Sequence, residues 1–118
     1  PRAGRWSSTS TLDGGDLSVN ASAALVGTRG MNILVDDTVP PYVTDDTPAA
    51  EARYRARFTF DPNTLLLPNG LAHSIFYGYQ GTNTVMLRLE LRRYNGVYQL
   101  RGALRDDGST WKAGRSLL

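Results

Sequence analysis

The 118-residue chain (12.9 kDa) is 41% hydrophobic and 20% charged, a balance that excludes a disordered tail or a coiled coil and allows one buried core. It has no cysteine and one histidine, His73, which excludes disulfide staples, a thiol nucleophile and thiolate metal sites, and no apolar run approaches the roughly 18 residues of a membrane span. Residues 1–52 carry a net charge of −4 and residues 53–118 a net +6, which suits an anionic-polymer surface or two halves that attract each other, while the small total of +2 argues against nucleic acid.

Residues 1–16, rich in Ser, Thr, Gly and Asp, read as a loosely held arm or a peripheral strand, and residues 17–118 as one β domain. The chain starts at Pro1, so any signal peptide is expected to have been removed or never to have belonged to this stretch. Strand-like runs are predicted at Leu17–Val26 and Met31–Val35, joined by a turn at Gly27-Thr28-Arg29-Gly30. Asn20-Ala21-Ser22 fits a glycosylation acceptor, a triplet common enough to arise by chance. From Asp36 to Glu51, two Asp-Asp pairs and three prolines predict a long loop with at most a short strand at Tyr42-Val43.

The sharpest alternation, Arg53 to Phe60, sets Tyr54, Ala56, Phe58 and Phe60 against Arg53, Arg55, Arg57 and Thr59, and predicts a strand with one buried and one wet face. Asp61-Pro62-Asn63 ends it, and Leu65-Leu66-Leu67 has room for no more than a helical turn. Ser74–Tyr79 is a further apolar run, in which Tyr77 and Tyr79 share the phase of Ile75. A second strict alternation spans Val85 to Leu91.

Asn95-Gly96 is a strong hairpin signal, because both residues of a type I′ turn take positive φ. It sets Tyr94 opposite Val97, and so Leu91 opposite Leu100, Leu87 opposite Leu104 and Glu90 opposite Arg101. Asp107-Gly108, read as a second two-residue turn, sets Leu104 opposite Trp111. A meander of short strands with no amphipathic helix and no internal repeat predicts an all-β antiparallel sandwich.

Catalytic constellations are missing from this pattern. Glu90 is the one acid inside a well-defined strand and is matched with Arg101, no glycine-flanked serine elbow accompanies His73, and no phosphate or dinucleotide loop is present; the chain is therefore read as non-enzymatic. Asp36, Asp37, Asp45 and Asp46, with Glu51 nearby, crowd oxygen ligands as calcium requires, although acids also favour turns for their own hydrogen bonds. Arg88, Arg92, Gln99, Arg101 and Arg105 are predicted to share the polar face of the meander, joined by Arg53, Arg55 and Arg57 if that strand lies in the same sheet. With rings from Tyr94, Tyr98 and Tyr79 this face suits carboxylate or sulfate groups and sugar stacking; a solvated, aggregation-blunting strand face is the alternative.

Tyr42-Val43-Thr44-Asp45-Asp46-Thr47-Pro48, Arg53–Asn63, Ile75-Phe76-Tyr77-Gly78-Tyr79 and Tyr98-Gln99-Leu100-Arg101 together resemble bacterial secreted jelly-roll domains of the laminin-G-like, concanavalin-A-like lectin class, over residues 17–111. The resemblance implies two curved antiparallel sheets, secretion or display on a bacterial cell surface, a sugar-binding or adhesive role, and in some members calcium. Arg88, Arg92, Tyr94, Tyr98, Gln99 and Arg101 are the ligand-binding candidates for a polysaccharide or glycan. After Trp111 the sequence departs from that pattern: Lys112–Leu118 offers none of the expected closing strands, so an open edge is expected to drive self-association or pairing with a partner by strand addition, which is the alternative role.

Overall fold

A computed structural model describes residues 6–10, 15–47, 49–50 and 52–116, with the Arg115 side chain left aside. Among the described residues there are strands and no helix, and every ladder is antiparallel. The chain divides into two compact units, residues 1–65 and 66–118. Most of Lys112–Leu118, expected to hold no strand, is part of one, as described below.

In the first unit, β1 (Ser8–Ser10) pairs with β4 (Tyr42–Thr44), and β2 (Leu17–Asn20) with β3 (Gly30–Ile33). The N-terminal stretch thus holds a peripheral strand, and the short strand expected at Tyr42-Val43 is present. β2 stops six residues before the predicted Val26 because Asn20 turns the chain: its Oδ1 accepts from Ala23 N and Ser22 Oγ, both at 2.8 Å, an Asx turn that competes with ladder bonding. The turn folds back onto β3 so closely that a Cβ on Gly30 would overlap the Ala23 carbonyl oxygen.

Residues 53–60 form no strand, and each is exposed. Alternation makes a segment able to fill a half-buried strand, but it becomes one only when a neighbouring backbone completes the ladder, and among the described residues no ladder reaches it. Arg53, Arg55 and Arg57 therefore do not extend a sheet face. Residues 65–68 carry no helical turn.

The second unit is a four-stranded meander: β5 (Ala72–Gln80), β6 (Thr84–Tyr94), β7 (Val97–Arg105) and β8 (Trp111–Ser116), adjacent in that order. The β6–β7 register runs from Tyr94↔Val97 through Leu91↔Leu100 and Glu90↔Arg101 to Leu87↔Leu104, as the turn and the pattern predict. Asn95 and Gly96 have φ of 51° and 78°, the two left-handed positions of a type I′ turn. The next hairpin differs by one residue: Arg105, not Leu104, lies opposite Trp111. Ser109 N donates to Asp106 O, Asp106 N donates to Thr110 O, and Ser109 takes φ 63°. This is a three-residue loop in which a turn is followed by a left-handed residue.

β5 and β6 fall out of step twice. Ile75 is the additional residue on β5 between Ser74↔Glu90 and Phe76↔Leu89, and Met86 the additional residue on β6 between Gly78↔Leu87 and Tyr79↔Val85. Beyond β5 the pairing continues, since Gly70 N donates to Arg93 O and Arg93 N to Leu71 O. Fully apolar burial is sparse: Leu17, Leu91 and Ala103 are the buried apolar residues among those described.

Candidate functional site: an arginine face on the meander

Strand alternation and the Asn95-Gly96 register divide β6 and β7 into two faces. One holds Leu87, Leu89, Leu91, Leu100 and Leu104, together with Arg93 and Tyr98. The other holds Arg88, Glu90, Arg92, Tyr94, Gln99, Arg101, Ala103 and Arg105, and the one-residue step at the second hairpin adds Trp111.

Glu90 anchors this arginine face. It is 7% exposed and accepts from Arg101 Nε at 3.0 Å and Nη2 at 2.7 Å, both on Oε2. Arg88 Nε lies 3.1 Å from Glu90 Oε1, an ion contact without hydrogen-bond alignment. The Arg88 guanidinium also sits 4.5 Å from the centre of the Trp111 ring, within cation–π range. A carboxylate this buried is tolerated because two guanidiniums replace its lost hydration.

Arg92 is held differently. Its Nε donates to Gln99 Oε1 at 3.0 Å, and its guanidinium carbon lies 5.1 Å from the Tyr94 ring centre. Among the described residues the two Nη groups of Arg92 have no hydrogen-bond partner, which leaves the forked edge that fits a carboxylate or sulfate. Arg105 donates from Nε to Ser109 O at 3.2 Å, beside the Trp111 pair.

Five of the six predicted ligand-binding residues, Arg88, Arg92, Tyr94, Gln99 and Arg101, therefore share a face. Tyr98 does not: it lies opposite Arg93, its hydroxyl accepts from Leu67 N at 3.0 Å, and Arg93 stacks on its ring at 5.8 Å while donating to Leu67 O at 3.3 Å. Tyr98 and Arg93 pin the 66–71 segment over the leucine face. Tyr77 and Tyr79 are 46% and 54% exposed, with ring centres 6.1 Å apart.

Trp111 belongs to the arginine face, although the two-residue turn reading placed it among the leucines. The sequence signal was Asp106, whose Oδ1 accepts from Thr110 N at 2.8 Å and closes a loop one residue longer.

Two of the four candidate metal-binding aspartates, Asp37 and Asp45, spend a carboxylate oxygen on local bonds. Asp37 Oδ1 accepts from Val39 N at 2.6 Å, and Asp45 Oδ1 from Thr47 N and Thr47 Oγ1 at 3.1 and 3.0 Å. Asp46 N donates to Ser7 Oγ. Among the described residues no three His, Asp or Glu side chains gather as a metal set, and Glu51 lies outside those residues.

Compared with family models, with curated proteins and with solved structures, the chain matches none. No helix among the described residues is long and apolar enough to cross a membrane.

Proposed function

We propose that this chain is a non-catalytic binding module, secreted or displayed at a bacterial surface, whose arginine face holds an acidic saccharide. The all-antiparallel strand architecture supports a β-sandwich of the jelly-roll kind as its setting. One observation carries the functional reading: Arg92 is oriented by Gln99 Oε1 and the Tyr94 ring while its Nη edge keeps its donors. A uronate carboxylate or a sulfate ester supplies the matching acceptor pair, and the Tyr94 ring offers an apolar surface to the sugar. Glu90, gripped by Arg88 and Arg101, positions the face and takes no part in bond cleavage.

Retention on a heparin or uronate resin tests this. Arg92→Ala is expected to elute at lower salt than the unmodified chain, while Lys112→Ala, which removes the same charge from a residue paired opposite Leu104, elutes with a smaller shift. Equal shifts for the two variants, or none, would reject the face as the binding surface.

A second reading, an assembly module that pairs with protein, is favoured by a separate observation. Among the described residues the edge strand β5 is paired on one side only, with β6, and carries no charged residue, which leaves it suited to strand addition.

A further inference from the structure

The two edges of the meander are unlike. β8 carries the exposed Lys112, and a charge on an edge strand opposes strand addition because pairing must strip its water. β5 reads Ala-His-Ser-Ile-Phe-Tyr-Gly-Tyr-Gln, with no Asp, Glu, Lys, Arg or Pro, and among the described residues its one ladder partner is β6. The insertion at Ile75 interrupts its first half. The second irregularity places its additional residue on β6, so β5 itself is regular from Phe76 to Gln80.

We propose that β5 pairs antiparallel with β5 of a second copy, about a two-fold axis at Gly78, so that two four-stranded sheets become one of eight. This deepens the assembly reading and is independent of the saccharide. The self-pairing is favoured by the strand's own composition. In that register Tyr77 of each copy lies opposite Tyr79 of the other, and the half-exposed rings, already neighbours within one chain, form two cross-strand aromatic pairs. No like charges meet, because the strand has none. Gly78 suits the axis. It is already kept small on its own chain, where a Cβ would come within 3.3 Å of Leu87 Cβ, and a glycine at the two-fold admits close backbone approach.

Five residues a side make a small interface, so dimers are expected at high protein concentration. Sedimentation velocity of the whole chain over a wide concentration range should show the mass rising toward twice 12.9 kDa and stopping there. Tyr79→Lys should stay monomeric over that range with an unchanged far-ultraviolet spectrum. Because the chain has no cysteine, register is read directly: an oxidised mixture of Tyr77→Cys and Tyr79→Cys chains should form the mixed disulfide several-fold faster than either variant alone, since residues directly opposite satisfy disulfide geometry and diagonal ones do not. A monomer at all concentrations, or assembly growing past the dimer, overturns the proposal. So does equal cross-linking by one variant alone. A dimer that survives Tyr79→Lys overturns the β5 edge while leaving self-association itself in place.

Discussion

Two backbone positions with nearly the same φ make opposite demands. Gly96 has φ 78° and nothing within 4 Å of where a Cβ would stand, so its requirement is conformational rather than steric. Gly96→Val is expected to lower unfolding free energy by about 1 kcal/mol or more, read from urea denaturation. Ser109 occupies a left-handed position at φ 63° that glycine fills without strain, and Ser109→Gly is expected to raise stability by about 0.5–1 kcal/mol in the same assay. Glu90 makes a third test. Glu90→Gln leaves Arg88 and Arg101 without their buried counter-charge, so it should cost on the order of 2 kcal/mol. It should also strengthen retention on an anionic resin, because two guanidiniums are released on the proposed binding face. Weaker retention by a folded Glu90→Gln chain would count against that face.

At the level of elements, legibility followed the number of independent constraints on each strand. β6 and β7 were legible to the residue because the Asn95-Gly96 turn, the leucine alternation and the Glu90–Arg101 charge match all specify one register, and the structure has all three. Residues 53–60 had the alternation alone. Without a neighbouring strand a period of two remains a capacity, and Tyr54 and Phe58 are 61% and 49% exposed. β8 was legible at its start, where the second hairpin brings Trp111 beside β7, but not over Lys112–Ser116, a stretch poor in strand formers that a partner backbone on β7 nonetheless suffices to order. The shared face of five candidate residues was legible from register. Tyr98 was misplaced by ring chemistry taken without strand parity, and Trp111 by a one-residue error in loop length. The aspartates allow a prediction at this scale as well. Asp45→Ala should destabilise the first unit by about 1 kcal/mol through loss of its two bonds to Thr47. The two readings of these acids separate on whether calcium raises the melting midpoint of the unmodified chain, and the turn reading requires equal midpoints in calcium and in chelator.

Across the whole molecule, charge follows the division into units: residues 1–65 carry six basic and eight acidic residues, and residues 66–118 seven and three, for nets of −2 and +4. The excess in the second unit opposes approach of two such units, so pairing through β5 should strengthen as salt rises, whereas saccharide binding should weaken. Opposite salt responses keep the two proposed activities separable in one sample. The connectivity of the ladders also has a consequence in time. β6, β7 and β8 are joined through short hairpin loops, but β1 and β4 meet only after the chain from Ser10 to Tyr42 has closed on itself, for three residue pairs. Local hairpins form in microseconds, and closing a longer loop for little gain delays what depends on it. Trp111 lies on β8 and Trp6 beside β1, so each tryptophan watches a different clock. In stopped-flow refolding, the Trp6→Phe chain, which reports through Trp111, should reach its native fluorescence before the Trp111→Phe chain, which reports through Trp6.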